Sequence, residues 1–305
     1  MNGIGDVVPK SKFFLAPLAG VNCTAFRILC KERGAGLVYS QMIDAKHMAY
    51  KIDNIGIEDY LNFLNLKDIE RPTVVQFVGN KPENIIKCAK AIEDKVDIID
   101  INFGCPESDI LGRKMGAYYS KHPELMSRLI KPIVKELSIP VTAKIRIGWT
   151  EQEINGVKAA QLLEEAGVSA VTVHGRTKKQ GYSGIANWTI VKQIKDKLNI
   201  PVIGNGDITS LAEGEQRMKE SGCDFVMIGR AAMGNPSIFC NKDNQKKDFL
   251  RFLELYKENE SEIKFGEVKT HAVWFVKRLR YAKSLKQQII KTENLEQLKR
   301  IIDSI

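Results

Sequence analysis

Apolar residues in this chain gather into eight short runs, separated by longer stretches in which they recur every three or four positions. The runs are Phe13–Pro17, Leu37–Met42, Thr73–Val78, Ile98–Phe103, Val141–Ile147, Ala170–His174, Val202–Asn205 and Phe225–Ile228. Runs this short and this continuously apolar predict strands buried on both faces, as in a parallel sheet. The stretches Pro82–Glu93, Glu124–Leu137, Glu153–Ala166, Trp188–Leu198 and Ser210–Glu220 predict helices with one apolar face. Ser138-Ile139-Pro140 and Asn199-Ile200-Pro201 end a helix and introduce the next strand. Eight strand–helix units predict an α/β fold, a (β/α)8 TIM barrel over residues 1–238. An open doubly wound sheet is the alternative, and eight units favour closure. The connection Ala45–Leu66 is the weakest, because Gly, Asn and Asp interrupt a short helical pattern. Past Phe239 the strand signal stops, and residues 239–305 predict a small all-helical C-terminal domain. Within it Phe275, Val276, Leu279 and Ala282 form an apolar stripe that predicts a helix packed on a small bundle.

Several strands turn polar at their C-terminal ends, where a barrel strand is normally aliphatic on both sides. On the fifth, Thr142, Lys144 and Arg146 oppose Val141, Ala143, Ile145 and Ile147; on the sixth, Thr172, His174 and Arg176 oppose Val171 and Val173. The fourth sets Asp100 and Asn102 against Ile99, Ile101 and Phe103, Gln76 interrupts the third, and Asn205 and Asp207 close the seventh. Each has a duller role available: a satisfied core histidine, a cation paired with Asp100, an amide serving backbone groups. Their shared position on five strands changes the reading. An unsatisfied buried polar group costs roughly 1–3 kcal/mol, so this many converge on a site rather than a core. Asn205-Gly206-Asp207 and Gly229-Arg230 follow the seventh and eighth strands, where barrels of this kind bind phosphate. No GxGxxG follows a strand and no GxxxxGK[ST] occurs, which disfavours dinucleotide and P-loop sites.

The fourth strand runs into Gly104-Cys105-Pro106, which sets a thiol at a strand terminus. Gly104 permits a sharp turn and Pro106 biases Cys105 to an extended conformation. The six cysteines show no CxxC pair, so neither a zinc site nor a disulfide framework is expected, and no metal. No apolar run approaches the ~18 residues of a membrane helix, so a soluble, cytoplasmic protein without a membrane partner is expected. A net charge of +9 favours a polyanionic partner. It is concentrated: Val268–Thr292 contains no acid but holds Lys269, Lys277, Arg278, Arg280, Lys283, Lys286 and Lys291. Arg113-Lys114 lies in a Gly112–Gly116 loop whose glycines suit a mobile lid.

The segment Ile99-Asp100-Ile101-Asn102-Phe103-Gly104-Cys105-Pro106, followed by Gly116-Ala117, resembles the signature of tRNA-dihydrouridine synthases. Matches continue in order at Ala16-Pro17-Leu18-Ala19-Gly20, Phe26-Arg27, Gln76, Ala143-Lys144-Ile145-Arg146, Val173-His174-Gly175-Arg176-Thr177, Asn205-Gly206-Asp207-Ile208 and Gly229-Arg230. The resemblance is dense over residues 12–236 and looser in the helical tail. It implies an FMN-dependent barrel that reduces a uridine of tRNA to dihydrouridine with NADPH or NADH, here expected as a monomer. Carried over by position, Pro17, Leu18, Ala19, Gln76, Lys144, His174, Asn205, Gly206, Asp207, Gly229 and Arg230 hold FMN, and Cys105 is the proton donor. Asn102 contacts the uracil. For the tRNA, Arg146, Arg176, Arg113, Lys114, Lys277, Arg278 and Arg280 are the expected contacts. Leu18 stands where methionine is usual, and Gln41 where many members carry an acid.

Reducing uracil puts a hydride on C6 and a proton on C5. A thiol of pKa about 8.5 is mostly protonated at neutral pH and can serve as the acid. Lys144 or Arg146 close by would favour thiolate, so Cys105 is expected apart from them, with Lys144 at the flavin N1–C2 edge. The target base must leave its stack to reach the mouth. Two alternatives remain: a flavin barrel acting on a free small molecule, or an RNA-binding protein on an inactive barrel.

Overall fold

A computed structural model describes residues 3–240, 242, 245–260 and 262–304. Its eight strands are β1 (Phe13–Leu15), β2 (Leu37–Asp44), β3 (Thr73–Val78), β4 (Ile98–Phe103), β5 (Val141–Arg146), β6 (Ala170–His174), β7 (Val202–Asn205) and β8 (Phe225–Ile228). They pair in sequence order, all parallel, and β1 pairs β8 to close the barrel. No helix among the described residues is long and apolar enough to cross a membrane.

The alternation along each strand divides the interior into two cores. Phe14, Leu37, Tyr39, Val74, Ile98, Ile203, Phe225 and Met227 fill the lumen, and Ile4 is buried with them. The opposite parity packs outward against the helices, and that core continues into the C-terminal helices. Above the lumen floor the inward positions turn polar together, because parallel register aligns them. Gln76 pairs with Asp100, Asn102 with Lys144, Arg146 with His174, and His174 with Asn205.

Two sequence expectations change. The weak connection Ala45–Leu66 is two helices, Ala45–Asn54 and Glu58–Leu64. Asp44 caps the first by accepting from the amides of Lys46 and His47, and Asn65 ends the second in a left-handed conformation. The acid-free stretch is not one helix. Helix Phe265–Phe275 gives way to a short 3-10 turn at Val276–Arg278, the chain extends at Leu279, and Tyr281 at φ 64 precedes helix Ala282–Lys291. Phe275 and Val276 are buried, whereas Leu279 is only partly covered.

The C-terminal helices are held to the barrel by helix Thr24–Glu32. Phe252 stacks on His271 at 4.4 Å between ring centres, Phe26 approaches from the barrel side at 5.5 Å, and the Cys23 thiol lies 3.5 Å from His271 Nε2. Cys23, Glu267 and His271 are also the one group among the described residues with metal-ligand spacing.

Candidate active site

A cleft at the C-terminal mouth is lined by Pro17, Leu18, Lys144, His174, Asn205, Gly206, Asp207, Gly229 and Arg230, together with Tyr182, Lys277 and Arg278. The barrel therefore brings most of the expected cofactor residues together. Gln76, fully buried on β3, and Ala19, which is exposed, both lie outside that lining. Gly206, at φ 128, permits a turn where a Cβ would stand 2.7 Å from the Ala186 methyl.

The cleft is electropositive. Lys144 Nζ donates to Asn205 Oδ1 at 3.1 Å, and Asn205 donates to the Met227 carbonyl at 2.8 Å. Burial, then the neighbouring Arg146 charge, lowers Lys144 to about 8. Burial also pushes His174 well below the usual imidazole range, helped by Lys144, Arg146, Arg176 and Arg230, so its ring is neutral. The one acid lining the cleft, Asp207, is already engaged. Partial burial would raise it, but the Ala186 amide, Arg176 and Arg230 outweigh that and hold its carboxyl below the usual range.

Arg146 and Arg176, expected to contact substrate, are buried at 3% and 2% exposure and donate to groups of the surrounding loops. Arg146 donates to the carbonyls of Gly104 (2.7 Å), Thr177 (2.9 Å) and Gly181 (2.8 Å). Arg176 donates to the carbonyls of Ser183 and Gly184 and to both Asp207 oxygens. Together they stake the β6 loop over the mouth. That loop presents Tyr182, a residue the strand pattern did not reveal, 57% exposed and with its ring 5.2 Å from the Arg230 guanidinium.

Cys105 lies outside this cleft's lining, half-buried against the cluster of Val78, Ile110 and Met115. Asn102 Oδ1 accepts from the amides of Gly104 (2.9 Å) and Cys105 (2.8 Å), so the loop is capped by its own strand end. The Ala117 amide donates to the Cys105 carbonyl at 2.9 Å. Gly116, at φ 59, lies so close that a Cβ there would stand 2.7 Å from the Cys105 carbonyl oxygen. The expected separation from the cations is not found, because Arg146 is bonded to the adjacent Gly104. The thiol nonetheless titrates above its usual value. Burial outweighs the Glu107 amide and the pull of Arg146 and Lys144.

The basic residues fall into two groups. Lys277 and Arg278 reach the cleft, with Lys277 over the Trp274 ring and Arg278 Nη2 3.5 Å from the Ala231 carbonyl it faces. Arg280 is exposed beside Tyr281, outside the lining. Arg113 is exposed but tied to Asp44 and Asp109, which pins the loop expected to be a lid, and Lys114 is exposed at φ 57. Gln41 accepts from the Gly20 amide at 2.8 Å and so braces the β1 loop.

A family model described as dihydrouridine synthase (Dus) matches residues 14–303. A probable tRNA-dihydrouridine synthase of Aquifex aeolicus is 35% identical over 311 aligned residues covering 96% of each chain. One of Rickettsia bellii is 38% identical over 245 residues, which cover 80% of this chain and 74% of that one. Among solved structures, an old yellow enzyme homologue from Zymomonas mobilis aligns at TM-score 0.57 over 88% of this chain and 97% of its own, with 11% identity. Histamine dehydrogenase from a Rhizobium aligns at TM-score 0.58 over 83% of this chain and 48% of its own, with 13% identity. These two share the fold. The sequence match runs almost from end to end and takes in both the barrel mouth and the helical tail, so this chain belongs to the dihydrouridine synthase family.

Proposed function

We propose that this protein reduces the C5–C6 bond of uridine in tRNA, with FMN held in the cleft, NADPH or NADH as reductant, and Cys105 as the proton donor. The observation that carries the reading is a thiol kept protonated by burial, fixed by Asn102 beside a cationic cleft. The donor set suits FMN. Arg230 and the Gly206 and Gly229 turns suit its phosphate, and Lys144 suits the edge of its ring that gains negative charge. Bound there, FMN supplies hydride chemistry.

The chain's own residues do the rest. Asn102 turns its oxygen to the loop amides, and its Nδ2, already donating to Gln76 Oε1 at 2.8 Å, keeps a second hydrogen for a uracil carbonyl. The Cys105 S–H gives its proton to uracil C5, and the half-buried sulfur regains one from solvent. Arg146 and Arg176 hold the Tyr182 loop, so the exposed ring forms one wall for an incoming base. Lys277, Arg278 and Arg280 face the phosphates of the folded RNA, with Arg113 and Lys114 beside the Cys105 loop. Residues 1–238 carry the chemistry in this reading, 239–305 grip the tRNA, and the enzyme works in the cytoplasm with its substrate.

Purified Cys105→Ala tests the assignment. FMN and tRNA binding stay as in the unsubstituted protein, while dihydrouridine formation on an unmodified transcript falls by roughly 10²–10⁴-fold. Loss of flavin binding, or an unchanged rate, overturns the role.

A further inference from the structure

Inside the barrel, on β4, one buried carboxylate has no part in the chemistry described so far. We infer that Asp100 is a positioning residue whose carboxylate anchors, as the terminal acceptor, a directed chain of amide hydrogen bonds ending on the Cys105 backbone. The inference rests on the proposed role of Cys105.

Asp100 is fully buried and accepts at both oxygens, from Thr142 Oγ1 at 2.6 Å and from Gln76 Nε2 at 2.6 Å. Gln76, also fully buried, accepts at Oε1 from Asn102 Nδ2 at 2.8 Å. Asn102 accepts at Oδ1 from the Gly104 and Cys105 amides. Three links therefore join a lumen carboxylate to the loop that carries the thiol.

Polarity makes this more than a row of contacts. Both groups at the Cys105 end are N–H donors, so Asn102 must turn its oxygen towards them and its Nδ2 towards Gln76. Gln76 must then turn Oε1 to Asn102 and Nε2 downward, where only an acceptor can receive it. A side-chain amide turned over has nearly the same shape but the opposite polarity. Without an acceptor at position 100, Gln76 Nε2 is left buried with no partner, and the single bond from Asn102 is all that holds the working orientation. The other orientation sets two NH2 groups against each other at Asn102. Correction there would turn an NH2 group onto the Gly104 and Cys105 amides and remove the donor offered to substrate. Burial raises Asp100 to about 6, opposed by the bonds from Gln76 and Thr142 and by Lys144, so it stays ionised at neutral pH.

The role predicts an unusual order of variants. In Asp100→Asn the carboxamide oxygen still accepts from Gln76 and its NH2 donates to Thr142, whose hydroxyl can also accept. Asp100→Ala removes the acceptor. A role through charge alone would make both variants equally poor. Hydrogen exchange of the segment holding Gly104 and Cys105, followed by mass spectrometry on the full chain, reads the loop directly. Asp100→Ala is expected to exchange there about tenfold faster and Asp100→Asn within about threefold of the unsubstituted chain. Dihydrouridine formation should follow the same order. Unchanged exchange in Asp100→Ala, or equal acceleration in both variants, overturns the inference. If Asp100→Ala does not fold, the unsubstituted protein still decides. A Gln76 amide proton facing a carboxylate resonates downfield of the ordinary side-chain range, and an ordinary shift overturns it. Exchange and NMR need neither reductant nor RNA, so they stay decisive even if no variant makes dihydrouridine, which would overturn the proposed function instead.

Discussion

His271 ties the C-terminal helices to the barrel with an imidazole that must remain neutral, and replacing it with leucine should alter the response of stability to acid. The ring is fully buried between Phe252 and Phe26, and its neighbours are the Cys23 thiol and Glu267. Burial lowers it from 6.5 to about 3. The unfolded chain therefore binds a proton below pH 6.5 that the folded one refuses until about 3. The favourable state is complete above 6.5, and stability is lost as pH falls through that window. At about pH 5 the difference is worth about 2 kcal/mol, from about 1.4 kcal/mol per pH unit below the unfolded value. His271→Leu gives up the contact with Cys23 but also removes Nδ1, a buried atom without a hydrogen-bond partner, so the two largely offset at neutral pH, and it removes the acid penalty. Urea melts followed by circular dichroism at about pH 7 and about pH 5 should show the variant gaining about 2 kcal/mol on the unsubstituted protein from the first to the second. The comparison isolates this residue because other titrating groups are common to both proteins. An unchanged difference between the two proteins across that range would refute the reasoning.

Other expectations can be tested alongside. Gly116→Ala forces a side chain into the left-handed region against the Cys105 carbonyl, a strain of about 1–3 kcal/mol, so product formation falls more than flavin affinity, as rate and fluorescence titration would show. Lys277→Ala with Arg278→Ala weakens tRNA binding and lowers the slope of log affinity against log salt by about 1 per lost phosphate contact, read by filter binding. Lys144 loses its charge as pH rises through about 8, so FMN binding weakens over that range. Lys144→Met should bind less tightly but with a flatter profile.

The barrel was legible because its signals are local and repeated: short β-branched runs, Pro before a strand, polar residues at strand ends. Alignment of Asn102, Lys144, His174 and Asn205 around one mouth follows from that pattern and parallel register. What escaped depends on contacts between distant positions. Arg146 and Arg176 look like anion contacts as residue types. Their partners, the carbonyls of Gly104, Gly181 and Gly184, are fixed only once the loops fold over the mouth. Tyr182 sits in that loop, where neither strand nor helix period applies. The break at Leu279–Tyr281 was invisible because hydrophobic spacing continues across it, with no Gly or Pro to mark the left-handed turn. The Cys105 thiol is pushed up by burial against Val78, Ile110 and Met115, not by distance from Lys144 and Arg146, and that packing is invisible in the local sequence.

The most direct measurement incubates the purified protein, with FMN and NADPH, on an unmodified tRNA transcript, followed by nuclease digestion and mass spectrometry of the fragments. Our account predicts a uridine-containing fragment heavier by two hydrogens, formed only when the reductant is present and almost absent with Cys105→Ala. A flavin-loaded protein that is reduced by NADPH, yet leaves every uridine of the tRNA unchanged, would contradict it.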